Sequence, residues 1–237
     1  MRKICGVIFT SLFVILLSFT AMASTTITVN GTGEALVPAD VAIISLGVSA
    51  RDADVLNAQE KVNETIAAIR SSLIENGVAR EDINTDYINV YAIYDYAEEQ
   101  EKVVAYNAYS TLAVKTLDMD RVGEIIDLAL GAGANNLNGV NFSATDTGEA
   151  KQAALIQAML DASSKAAVLA NAAGVVIMGI DSIEETGTYS YDGGAANNFS
   201  VKTEAASDAE AGTYVQAAQL TVTANVSITY VAATPVG

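Results

Sequence analysis

The sequence predicts a mixed α/β (α+β) protein: two strand-helix-strand-strand units with long antiparallel hairpins, an intervening short helix and a long alanine-rich helix. Three patterns carry that expectation. Residues 219–230 alternate, with Leu220, Val222, Ala224, Val226, Ile228 and Tyr230 apolar and Gln219, Thr221, Thr223, Asn225, Ser227 and Thr229 polar, the period of a strand with one buried face. Val62, Ile66, Ile69 and Leu73 recur at a four-three-four spacing, which lays one apolar stripe along a helix. Residues 148–173 are dense in alanine and are followed by Gly174, a helix and its stop.

The elements follow in order. Met1, Arg2 and Lys3 precede the uncharged run Ile4–Phe19, and Ala21-Met22-Ala23 has the small-x-small form read by a signal peptidase, so cleavage is expected after Ala23. Ile4–Phe19 is shorter than the roughly 20 residues that span a bilayer as a helix. The remaining chain, 24–237, is read as one region with a possible division into 24–118 and 119–237. Gly31-Thr32-Gly33-Glu34 faintly resembles a phosphate loop, but no lysine or helix follows it, and a turn or bulge between strands is expected instead.

Val41–Ala50 reads as a buried strand, and Asp52 or Asp54 caps a helix running to about Asn76, with Gly77 ending it. Asp86–Tyr96 and Val103–Leu117 form a hairpin around an acidic tip of Glu98, Glu99 and Glu101. A short helix over Asp120–Leu130, a strand over Leu137–Thr145 and the alanine-rich helix over Gly148–Ala173 come next. Val175–Thr186 then pairs with Thr213–Ala232 across a tip rich in glycine, asparagine, serine and acid. The order strand, helix, strand, strand thus occurs over Val41–Leu117 and again over Leu137–Ala232, which hints at duplication.

Composition narrows the chemistry. The chain has no histidine, and its single cysteine, Cys5, lies in the expected leader, so the mature chain has no thiol and no imidazole. Ordinary zinc, copper, haem and iron–sulfur sites, serine triads and thiol nucleophiles need those groups. No catalytic, cofactor-binding or metal residue is therefore assigned, and no cofactor is expected. After removal of Arg2 and Lys3 the mature chain carries ten basic and 28 acidic residues, a net charge of −18, which repels phosphate backbones and acidic lipid. Nucleic acid is not an expected partner. No later stretch reads as a membrane span, and three predicted helices conflict with a transmembrane barrel of strands.

Remaining candidates are weak. Asp52 with Asp54, Asp118 with Asp120, and Glu184 with Glu185 could form acid–base pairs, but all lie at element ends or in loops, where caps are commoner. The two Asp-x-Asp pairs lack the further ligands of a calcium loop. Tyr87, Tyr91, Tyr94, Tyr96, Tyr106 and Tyr109 gather on the first hairpin, as cross-strand packing or as an interface. Glycosylation triplets begin at Asn63, Asn141, Asn198 and Asn225, of which Asn198 falls in an expected open loop.

Several stretches together resemble the SIMPL-domain family of exported proteins, which includes periplasmic or outer-membrane immunogenic proteins. They are Val29-Asn30-Gly31-Thr32-Gly33-Glu34 followed by Pro38-Ala39-Asp40-Val41, and Gly77-Val78 leading to Asp82-Ile83-Asn84-Thr85. The third is Gly131-Ala132-Gly133-Ala134-Asn135 with Gly139-Val140-Asn141-Phe142. Tyr91-Ala92-Ile93-Tyr94 departs from the family pattern, which often places a proline before the tyrosine. The resemblance implies large ring-like or channel-like homo-oligomers outside the cytoplasm and a link to envelope integrity and oxidative stress. It supplies no catalytic residues.

The resulting expectation is a non-catalytic, extracytoplasmic protein, periplasmic or at the cell surface, whose partner is itself. The tyrosine-rich strands and the uncharged face of the last strand are its expected contacts. The alternatives are a monomeric module binding a small molecule or cation, and a carboxylate-based hydrolase.

Overall fold

The computed structural model describes residues 25–95, 102–190, 212–216 and 219–235. The expected leader, the acidic tip at Glu98, Glu99 and Glu101, Tyr96 and Asn198 lie outside the described residues. In chain order the elements are β1 (Thr25–Pro38), β2 (Val41–Asp52), α1 (Val55–Glu75), β3 (Ile83–Asp95), β4 (Lys102–Thr116), α2 (Val122–Gly131), β5 (Asn136–Ser143), α3 (Gly148–Ala173), β6 (Val176–Ser190) and β7 (Gln219–Ala233). This is the mixed architecture expected, arranged as two antiparallel sheets with helices on one face of each.

The first motif begins with β2, whose Ala42, Ile44, Leu46 and Val48 are buried while Ile43 and Arg51 on the other face are exposed. Asp54 starts α1 by accepting the backbone N–H groups of Leu56 at 2.8 Å and Asn57 at 3.2 Å, two donors that a helix start leaves without intrahelical partners. Val62, Ile69 and Leu73 of the expected stripe are fully buried, and Ile66 packs at its margin. Gly77 then takes φ +88°, a left-handed conformation costly for a side chain, and the chain turns into β3. Strand β4 folds back on β3 and continues along β2, pairing Ile44 with Val114 and Leu46 with Leu112. β5 adds on the far side of β2, so the sheet order is β3-β4-β2-β5.

The second motif is β1, α3, β6 and β7. Even-numbered residues of β7 from Leu220 to Ala232 are buried, as the alternation predicts. The last hairpin pairs β6 with β7, and β7 continues along β1 from Ala232 opposite Thr25 to Gln219 opposite Pro38. The strand order β6-β7-β1 repeats the order β3-β4-β2 of the first motif, with the last strand central in both. The two motifs interleave along the chain. The strand just before α3, β5, hydrogen-bonds to β2 in the first sheet, and the second sheet takes β1 from the N-terminal side.

The register of α3 explains β1. Ala150, Ala154, Ala158, Ala162, Ala166 and Ala170 form one buried row at every fourth position, whereas Ala153, Ala167, Ala172 and Ala173 are exposed. The row lies directly on Gly31 and Gly33, where an added Cβ would sit 2.0 Å from the Ala158 carbonyl oxygen and 2.1 Å from that of Ala154. Gly31-Thr32-Gly33-Glu34 is thus neither a phosphate loop nor a turn between strands. It lies inside a continuous strand, and its glycines exist because a helix backbone approaches there. By length and composition α3 is apolar enough to cross a membrane, yet its alanine row is packed against β1 and β7. Val37 packs against both apolar clusters, and Leu220 of β7 belongs to the cluster of the first sheet, so the two sheets meet there.

Candidate functional site

The paired carboxylates are structural. Asp54 caps α1, and Asp52 accepts the Asp54 backbone N–H at 3.0 Å and the Lys61 ammonium at 2.6 Å. The Asp54 N–H first, and Lys61 next, lower the Asp52 pKa to about 2 from its ordinary 3.8. A carboxyl that stays ionised down to about pH 2 is unsuited to be a general acid near neutral pH. Asp118 accepts the Asp120 N–H at 3.2 Å and so begins the single turn at Met119–Arg121. Glu184 and Glu185 are consecutive strand residues, opposite Ser227 and Val226, and project to opposite faces of β6. None of the three pairs forms an acid–base dyad. Among the described residues no cluster of carboxylates has the arrangement of a metal site.

The tyrosines divide. Tyr87 and Tyr109 stand on the sheet face away from α1, with ring centroids 6.1 Å apart and tilted by 56°. Tyr109 reaches across β2 to exchange hydrogen bonds with Asn138 at 2.9 and 3.1 Å. Tyr106 packs against the core on the other face. Tyr91 and Tyr94 are exposed at the edge of the hairpin. Packing therefore accounts for Tyr106 and Tyr109, while Tyr87, although it touches Tyr109, is exposed like Tyr91 and Tyr94. The neutral face of β7 is a cross-strand ladder, in which the Thr28 and Thr229 hydroxyls lie 3.1 Å apart and Thr32 donates to Asn225 Oδ1 at 3.1 Å. Asn63 lies on α1, Asn141 on β5 and Asn225 on β7, so none of these three occupies an open loop.

Sequence reasoning missed several side chains that hold the strands in place. Asn135 receives the Ser49 N–H at 2.8 Å and donates to the Ser49 carbonyl at 2.8 Å, completing β2 as a short strand would. Asp40 accepts both the backbone N–H and the hydroxyl of Thr145, which clips the end of β5 to the start of β2 and lowers the Asp40 pKa. On α3, Asp161 accepts the Thr32 N–H at 2.9 Å and pairs with Lys165 at 2.6 Å, while Lys165 donates to the Asn30 carbonyl at 3.0 Å. Two backbone groups of edge strand β1, the Thr32 N–H and the Asn30 carbonyl, are thereby occupied. The available signal was the four-residue Asp161–Lys165 spacing, but its target is more than a hundred residues away.

One open cleft lies beside α2, lined by Ser72, Glu124, Asp127, Leu128, Gly131, Ala132, Gly212 and Thr213. Its carboxylates are engaged: Glu124 with Arg121 at 2.9 Å, and Asp127 with the Thr213 N–H and hydroxyl at 2.9 and 2.6 Å. Large apolar side chains are exposed on both motifs, Ile88 and Val104 among those of the first. Ile156, Leu160 and Val168 of α3 are 61%, 65% and 65% exposed, and Met178, Ile180 and Ile183 of β6 are also exposed.

These features define a class: an acidic double β-α-β-β protein whose polar side chains brace its strands and which leaves large apolar side chains exposed. The SIMPL family pattern, a protein family of unknown function (DUF541), matches residues 27–230, and the chain belongs to that family. It is 26% identical over 164 residues to the 26 kDa periplasmic immunogenic protein of Brucella melitensis, covering 67% of this chain and 66% of that protein. Against the uncharacterized protein YggE of Escherichia coli K12 it is 27% identical over 145 residues, 61% of this chain and 59% of the other. The uncharacterized YggE of Edwardsiella ictaluri is 25% identical over 149 residues, 62% of each chain. The chain spans less than two thirds of the length of these relatives. Their names attribute no enzymatic activity, and the Brucella name places that protein in the periplasm.

Proposed function

We propose that this chain is an exported envelope protein that acts by assembling with copies of itself and has no catalytic centre. The observation carrying the proposal is the set of large apolar side chains left in solvent on the second motif: Ile156, Leu160, Val168, Met178, Ile180 and Ile183. Each large apolar side chain left in water costs free energy that contact with a second surface recovers. The committed carboxylates support the non-catalytic reading, since the three candidate pairs serve as caps or diverge. Export is supported by the basic start and apolar run at residues 1–23 and by the periplasmic name of the Brucella relatives.

The proposed role is support of envelope integrity or oxidative-stress tolerance through that assembly. Amine crosslinking of an osmotic-shock extract is expected to give a ladder at multiples of the processed subunit. A single band at subunit mass across the crosslinker range would contradict the proposal. A strain lacking the chain is expected to be more sensitive to peroxide and detergent and to recover with the wild-type chain.

A further inference from the structure

Helix α3 divides into four rows of residues spaced by four. One is the buried alanine row and a second, Gln157, Asp161, Lys165 and Leu169, borders the edge of β1. The row opposite the alanines is Gln152, Ile156, Leu160, Ser164, Val168 and Ala172; all six are exposed and none is ionisable. This row is self-complementary. About a two-fold axis at Ser164, an antiparallel second copy would place its Leu160 on Val168, while Ile156 and Ala172, eight residues from the axis, turn to the sides of the contact. The larger Leu160 of each helix thereby meets the smaller Val168 of the other. Beside the row, Val29, Asn30, Ser164, Lys165, Val168 and Leu169 line a shallow cleft that can receive the second copy's Leu160.

Charge selects the occupant. In a two-fold contact equal flanks meet. Lys165 lies one residue past the axis and Asp161 three before it, so the second copy's Asp161 falls about 3 Å along the helix from Lys165. The two intrachain pairs then form an alternating ring of four charges. An acidic chain of net charge −16 can approach itself closely only where acids are absent or paired, and this row with its flank meets that condition. The row presents no cation to an acidic lipid surface.

We infer that the outer row of α3 is an isologous contact between two copies of this chain, with its dyad at Ser164. The inference rests on the self-assembly proposed above and names one of its interfaces. Three variants test it in the exported, purified chain. Leu160→Glu, at a 65% exposed position, is expected to leave the circular dichroism spectrum unchanged and to lower the mass from light scattering at least two-fold. Ser164→Cys with Cys5→Ser leaves one thiol per chain and is expected to oxidise to a covalent dimer. Gln152→Cys in the same background lies about 18 Å along the helix from the dyad and is expected not to oxidise.

An assembled wild type whose mass survives Leu160→Glu and whose Ser164→Cys variant does not crosslink would overturn this interface and leave self-assembly standing. A monomeric wild type would overturn both. Flotation with phosphatidylcholine vesicles, lost in Leu160→Glu without a change of assembly mass, would give the row to lipid and overturn the inference.

Discussion

Asp52 satisfies the backbone N–H of Asp54 and the ammonium of Lys61 at once, and this explains both its low pKa and its place before α1. A carboxyl whose folded pKa lies below its unfolded value adds stability above the unfolded pKa and loses it as pH falls through the folded one. For Asp52 that window runs from about 4 down to about 2. Asp40, Asp161 and Glu124 shift in the same direction through Thr145, Lys165 and Arg121 respectively. Tm is therefore expected to fall as pH drops from 5 to 2.5, and Asp52→Asn is expected to show a smaller fall over that interval; equal falls in both proteins would contradict the assignment. Gly33 is a second case in which one residue carries a tertiary constraint. Gly33→Ala places a methyl group against the α3 backbone, and overpacking of this kind costs about 1–3 kcal/mol, to be read from urea unfolding.

At the scale of elements, local pattern was informative where the residues deciding an element lie within it. Asp54, the stripe from Val62 to Leu73 and Gly77 predict α1 almost to the residue, and alternation predicts β7. Asp54→Ala removes the cap and is expected to cost about 1 kcal/mol, measurable as a shift in the denaturation midpoint. Strand β1 was not legible because its glycines weaken strand propensity, and their reason is α3, over a hundred residues later. The β2–β5 pairing was hidden for a similar cause, since Asn135 and the Asp40–Thr145 clip act across the fold. For the protective pair on α3, Asp161→Ala with Lys165→Ala is expected to expose the edge of β1 and speed hydrogen exchange at Thr32 relative to neighbouring β7 amides.

Across the whole molecule, the first motif was visible as an order of elements, but the second was read with β5 in the place that β1 takes, because strand partners depend on which face each strand can bury. The candidate site followed the same division. Absence of imidazole, and of any thiol beyond Cys5, was readable from composition, and the tyrosine cluster was visible without its split into packed and exposed rings. The α3 outer row could not be singled out, since its exposure is defined by the alanine row on the opposite side. Net charge opposes association, and salt screens that repulsion, so the assembled fraction is expected to rise with ionic strength. The most direct measurement is the mass of the exported chain by sedimentation velocity at micromolar concentration. A species at a whole-number multiple of the subunit mass is predicted, and a single species at subunit mass would contradict the account.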